Sequence, residues 1–193
     1  NINGLEKASF TKLKELNLES NKISNIDILE KVNFKELNKL NLHDNRISNI
    51  RILEKVNFNE LTELNLSKNE IFDISVLEKV NLKKLSKLNL SDIGISDIKV
   101  LKKVNFTKLK ELNLNYNIIS NINVFKNINF NELKKLYLKR NKIKYVKGLE
   151  KVNVNCKEIK EIDLRINSII DISKLAKVPL QVKILYDHPD NHK

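Results

Sequence analysis

Few residues in this chain have the types and spacing that support chemistry. Cys156 is the only cysteine among 193 residues, so it has no disulfide partner within the chain. No histidine shares its motif to activate it as a nucleophile, and a buried structural thiol at a small-residue position of a return segment is the expectation. His43 stands alone inside a repeated phrase and reads as a surface residue. The closing stretch "DHPDNHK" groups Asp187, His188, Asp190 and His192. These could ligate a metal in principle, but a polar chain end is the simpler reading. There is no Gly-rich phosphate loop, nucleophile elbow or paired-histidine motif. The expectation is therefore a non-enzyme with no catalytic residue, no cofactor, no metal and no small-molecule substrate.

The chemistry of recognition is better represented. Tyr116, Ile118, Tyr137 and Ile166 stand where neighbouring phrases carry mostly polar residues, and Lys135, Lys139, Arg140 and Arg165 lie around them. Aromatic and aliphatic anchors ringed by Arg and Lys have the composition of an interface hot spot. These eight residues form the candidate partner-binding set.

What must position them is a repeat. Leu13, Leu37, Leu61, Leu85, Leu109 and Leu133 open the same phrase at steps of 24, and Ile159 opens a seventh after 26. One unit reads L-x-x-L-N-L-x-x-N-x-I-S-x-I-x-x-L-x-K-V-N-F-x-x. In "LKELNL", Leu13, Leu16 and Leu18 point inward while Glu15 and Asn17 alternate outward, as a short strand requires. "ISNIDILEKVNF" carries Ile26, Leu29, Val32 and Phe34 at mixed spacing, which suits a short helical return. One unit cannot bury its apolar stripe alone, so the copies must stack. Phe10, Phe34, Phe58, Phe106 and Phe130 share one column, with Leu82 completing it, and read as a core spine.

The first eleven positions match L-x-x-L-x-L-x-x-N-x-L with Ile in last place. Segments such as "NKISNIDILEKVNFKELNKLNL" resemble the leucine-rich repeats of bacterial internalins and of the eukaryotic phosphatase-regulator type, with about two residues added around "VNF". The resemblance implies an α/β leucine-rich repeat solenoid. It would be a right-handed curved coil, with a parallel sheet on the concave face and short helical or irregular returns on the convex face. The expected organisation is a single array over 1–193, with a partial repeat at 1–12, seven repeats from Leu13 and a terminal segment from about 180. Seven strands are expected and an eighth is placed between Val182 and Tyr186, since Pro179 suits an ending array.

Three columns carry specific expectations. The third position alternates as Glu15, Lys39, Glu63, Lys87, Glu111, Lys135, Glu161, so neighbouring strands should set opposite charges side by side and fix the register. The fifth is Asn through Asn113, then Tyr137 and Asp163. The ninth is Asn21, Asn45, Asn69, Ile93, Asn117, Asn141, Asn167. Buried amides there should satisfy turn N–H and C=O groups. Ile93, followed by Gly94, should be a seam in the stack and not a site.

The net charge of +12 is regional: residues 1–96 hold 15 Lys and Arg against 14 Asp and Glu, and residues 97–193 hold 21 against 10. The leading expectation is a scaffold whose concave face and adjoining turns bind another protein with an acidic surface. The alternative is a binder of nucleic acid or anionic membrane through the basic C-terminal half. The single cysteine, together with sequons at Asn65 and Asn89 on expected strands, leans towards a cytoplasmic setting, with a bacterial surface or secreted one as the alternative.

Overall fold

Among the described residues, the chain forms one sheet of eight parallel strands in sequence order. They are β1 (Glu15–Asn17), β2 (Lys39–Asn41), β3 (Glu63–Asn65), β4 (Lys87–Asn89), β5 (Glu111–Asn113), β6 (Lys135–Tyr137), β7 (Glu161–Asp163) and β8 (Lys183–Leu185). The computed structural model describes residues 2–7 and 9–187. The register follows the repeat, so Glu15, Lys39 and Glu63 are successive partners across β1 to β3. The eighth strand falls within the expected 182–186 window. It places Lys183 beside Glu161, extending the charge alternation one step.

The helical returns are tighter than α-helices. Each is a short 3-10 turn, such as Asp27–Lys31, Arg51–Glu54 or Asn123–Lys126. Ile and Val around these turns are stiff at χ1, and the few residues available must climb to the next coil. Among the described residues, one α-helical turn occurs, α1 (Val152–Asn155), in the repeat that is two residues longer.

Buried Leu, Ile and Phe columns run the length of the stack. Phe10 stacks on Phe34 and Phe34 packs tilted on Phe58, both at ring-centroid distances of 6.1 Å, and Phe106 and Phe130 are fully buried further along. Cys156 differs from expectation. It does not fill a small-residue site but ends the aromatic column: the Ile159 N–H donates to the Cys156 carbonyl as the Leu133 N–H does to Phe130. Burial pushes its thiol up to about 12.

The ninth-position amides staple each coil to the one before. The Asn69 Oδ1 accepts from the Ile47 N–H at 2.9 Å, and its Nδ2 donates to the carbonyls of Leu42, Leu66 and Ser67. Asn45, Asn117, Asn141 and Asn167 repeat the pattern. Ile93 is buried at 1% exposure and cannot do so. Ile71 is the one residue from Ile23 to Ile143 in its column that lacks this side-chain acceptor among the described residues. Asn117 compensates on the other side, accepting both the Ile93 and Ile95 N–H at 3.2 Å. Gly94 permits the altered turn at φ 78°, a conformation Ile or Asn would hold at a cost. The break is a seam that exchanges hydrogen bonds for apolar burial.

Candidate functional site

The candidate residues sit on β5 to β7 and the turns that follow. Every turn places its eighth residue in the left-handed region: Ser20, Asp44, Lys68, Asp92, Tyr116, Arg140 and Ile166 all have φ between 53° and 58°. For a β-branched residue such as Ile166 this conformation is strained, by roughly 1–2 kcal/mol. Burial does not offset it, because Ile166 is 49% exposed. Tyr116 and Ile118 are each 45% exposed. The Arg140 guanidinium lies over the Tyr116 ring, 5.5 Å from its centroid, so these two form one cation–π unit on the turn edge.

Tyr137 is half-buried on the open face of the sheet, between Asn113 and Asp163 in register. Elsewhere an Asn in this column accepts from the N–H two residues on, as Asn41 does from His43. Tyr137 cannot. The Lys139 N–H is instead taken by Asn115 Oδ1 of the preceding repeat at 2.7 Å, so the aromatic substitution is compensated next door. A groove of about 360 Å³ follows the sheet from Glu15 to Asn113. Its lining stops at β5, one strand before Tyr137.

Lys135 also departs from its counterparts. Lys39 and Lys87 contact Glu15 and Glu63 at 2.7 and 3.1 Å. Lys135 has no such contact among the described residues, and Tyr137 beside it, then Glu111 and Glu161, raise its pKa. Burial, then Glu111, raises the Tyr137 pKa. At neutral pH the pair is an ammonium beside a neutral phenol. Arg165 grips Asp163 in a fork at 2.9 and 2.7 Å. Burial works to raise the Asp163 pKa, but the Arg165 hydrogen bonds outweigh it and the net shift is down. The structure thus brings Tyr116, Ile118 and Arg140 to the turn edge, sets Lys135 and Tyr137 on the sheet, and commits Arg165 to Asp163. Ile166 shares the eighth-position turn site of Tyr116 and Arg140, and Lys139 immediately precedes Arg140.

The other candidate chemistry is structurally employed. His43 Nδ1 lies 2.8 Å from Ser67 Oγ. The Asp187 carboxylate accepts from the Ile166 N–H, while His188, Asp190 and His192 lie outside the described residues. No group of three potential metal ligands occurs among the described residues.

Sequence reasoning passed over Tyr145, Ile170 and Phe72, which are large, apolar and exposed. The signal was present for Tyr145. The thirteenth position is otherwise Asn25, Asn49, Asp73, Asp97, Asn121 and Asp171, and each accepts from the N–H two residues on at 2.7–2.9 Å.

This architecture of stacked 24-residue coils, parallel strands and an Asn spine defines the chain as a leucine-rich repeat solenoid. Solved structures share it. An internalin, inlF, from Listeria monocytogenes aligns with a TM-score of 0.64 at 23% identity, over 92% of this chain and 56% of that one. Internalin C2, inlC2, of the same organism aligns at 0.65 and 21%, covering 92% of this chain and 82% of that one. The plant peptide hormone receptor RGFR1, solved in complex with RGF2, aligns at 0.60 and 26%, over 82% of this chain and 25% of that one. This chain therefore spans little more than half of the first internalin. No family model matches it, and no curated protein is similar to it in sequence.

Proposed function

We propose that this solenoid is a non-enzymatic scaffold that binds another protein through the open face of the sheet and adjoining turns of repeats five to seven. The partner presents an acidic surface with an apolar centre. The observation that carries this reading is the pairing of Tyr116 and Arg140 on strained left-handed turn positions, both exposed to solvent. Their mutual contact bridges two coils, yet it leaves the Tyr116 ring 45% exposed and open to a partner. The structural neighbours lend support, since one of them is a receptor solved with a peptide hormone. Internalin and receptor folds also favour a surface or secreted setting over the cytoplasmic expectation.

The test is affinity capture from the native source, followed by titration of the captured protein against wild type and Tyr137→Ala at several salt concentrations. The reading expects a modest salt dependence and a loss of affinity on Tyr137→Ala. A second reading has its own observation. Lys110, Lys134 and Lys160 stand in consecutive register, joined through backbone bonds of 2.8 and 2.9 Å, and three like charges in a column favour a polyanion. Binding to nucleic acid or anionic vesicles that collapses between low and moderate salt, with Tyr137→Ala silent, would replace the protein-partner reading by this one.

A further inference from the structure

Repeat six gives up a structural device on the turn edge and puts an exposed ring in its place. At its thirteenth position Tyr145 replaces the Asn or Asp whose side chain accepts the N–H at the start of each 3-10 turn. No equivalent bond is made to the Lys147 N–H. Losing such a cap costs on the order of 1 kcal/mol. The Tyr145 ring does not recover it by burial, being 62% exposed. Tyr145 also pairs in parallel with Asp171 of the next coil, so its backbone is held in place.

The surroundings form a surface. Between repeats five and six lies a cavity of about 330 Å³ lined by Ser120, Asn121, Ile122, Asn123, Tyr145 and Lys147. The same inter-coil position between repeats two and three holds a cavity of about 330 Å³, but Asp73, Arg51 and Val76 wall it. The C-terminal version replaces the carboxylate by a phenol. At the position equivalent to Val76 stands Gly148, packed so closely that a Cβ would sit 2.0 Å from the Ile122 carbonyl oxygen. Ile118 and Ile170 are exposed on the same edge. Lys147 lines it, and Lys142 and Lys144 are exposed in the same repeat; none of the three contacts a carboxylate within 4.0 Å among the described residues. The groove itself sets Tyr145 and Ile122 among the polar Ser120, Asn121 and Asn123, with Lys147 as its cation, and the exposed isoleucines and lysines lie on the surface around it.

We propose that this turn edge, centred on Tyr145, is a second docking surface that receives an acidic, apolar-studded segment of the partner protein. It rests on the protein-partner reading above and extends the contact beyond the open face of the sheet. Charge complementarity selects the occupant: carboxylates meet Lys142, Lys144 and Lys147, and an apolar side chain enters beside Tyr145.

Tyr145→Asn tests this cleanly, because it restores the capping residue that the other repeats use at this position. The probe is a short fluorescein-labelled peptide alternating Glu with Leu and Phe, titrated by anisotropy against wild type, Tyr145→Asn and Tyr137→Ala. The expected result is about a tenfold weaker Kd for Tyr145→Asn, with a melting temperature equal to or above that of wild type. Unchanged affinity for Tyr145→Asn overturns the proposal. If Tyr137→Ala alone weakens the probe, the open face binds it and this edge falls. If Tyr145→Asn alone does, the edge stands and the open face falls; if neither does, both fall. A Glu-only peptide or oligothymidylate that binds wild type as tightly as the probe reduces the surface to bare charge and also overturns it.

Discussion

The first three repeats and the last three are built on one plan, yet they use their exposed positions differently. In the N-terminal coils the exposed columns serve the stack. Lys39 meets Glu15, Lys68 meets Asp44 and Lys84 meets Glu60, each within 3.0 Å, and Asn49 and Asp73 cap the turns after them. In the C-terminal coils the same positions hold Lys135 without its glutamate contact, Arg140 over Tyr116, and Tyr145 without a cap. The contrast supplies a criterion. A substitution that loses a structural bond and gains burial is repair of the stack; one that loses a bond and stays exposed points outward, to a partner. Ile93 falls in the first class, and Tyr145 and Ile166 in the second.

The sharpest break of this comparison is Asn117→Ile. Asn117 carries its own coil and also serves the seam, accepting two N–H groups and donating to Leu90, Leu114 and Asn115. Orphaning two buried donors at about 1–3 kcal/mol each predicts a loss of at least about 2 kcal/mol by urea titration. Hydrogen exchange should accelerate first at Ile93 and Ile95. A cost no larger than that of an exposed substitution such as Lys83→Ala would show that the amide spine does not hold the coils together.

The next largest effect is on binding. Tyr137→Ala should weaken partner affinity by about 2 kcal/mol, mostly through faster dissociation measured by surface plasmon resonance. Since the ring is half-buried, a small loss of stability should accompany it. Asn41→Ala in the first half should leave binding unchanged. The reverse result would move the interface to the N-terminal coils.

The Asp163–Arg165 fork makes the comparison depend on pH. Asp163 has its folded pKa lowered, so its contribution is present above the unfolded value of about 3.9 and is lost as pH falls through the folded value. Asp163→Asn should therefore destabilise the protein at pH 7, and the gap to wild type should close in denaturation curves taken progressively below pH 4. A gap independent of pH would mean that the carboxylate charge contributes nothing. Arg140→Ala should be milder. An exposed cation–π contact is worth about 0.5–1 kcal/mol, and the change should appear in the association rate and in a shallower salt slope.

Much of the fold was legible because a repeat states each requirement several times. The period set the register of the strands, and the Asn spine was readable because buried amides have one economical use in a turn. The Arg165–Asp163 fork follows the two-residue spacing by which other fifth-position side chains reach forward, but a basic residue beside aromatics reads equally well as a partner contact. The left-handed eighth position was not legible. Ser20, Asp44, Lys68, Asp92, Tyr116, Arg140 and Ile166 share no side-chain chemistry, only a backbone angle. The 3-10 character of the returns was hidden too, since apolar spacing over four or five residues does not distinguish it from an α-turn. Tyr145 was readable as the break in an Asn/Asp column, but that column lies off the strands, where the function of the capping side chain emerges only from its bond to the backbone.

The smallest predicted effect concerns the seam. Ile93→Asn would offer an acceptor to the Ile71 N–H, which lacks one in this column among the described residues, a gain of about 1–3 kcal/mol. Against this, Ile93 is buried at 1% exposure, and removing it from the core forfeits about 1.5–3 kcal/mol. The turn must also change, because Gly94 at φ 78° and the Ile93 N–H bond to Asn117 belong to the present arrangement. The opposing terms are of one size, so stability should move by less than about 1 kcal/mol, and partner binding should not move at all. A gain well above that would mean the buried isoleucine contributes little and the seam is an unrepaired defect. Lost binding at unchanged stability would transfer Ile93 to the outward-directed class, and the burial criterion would fail at the residue that most clearly defines it.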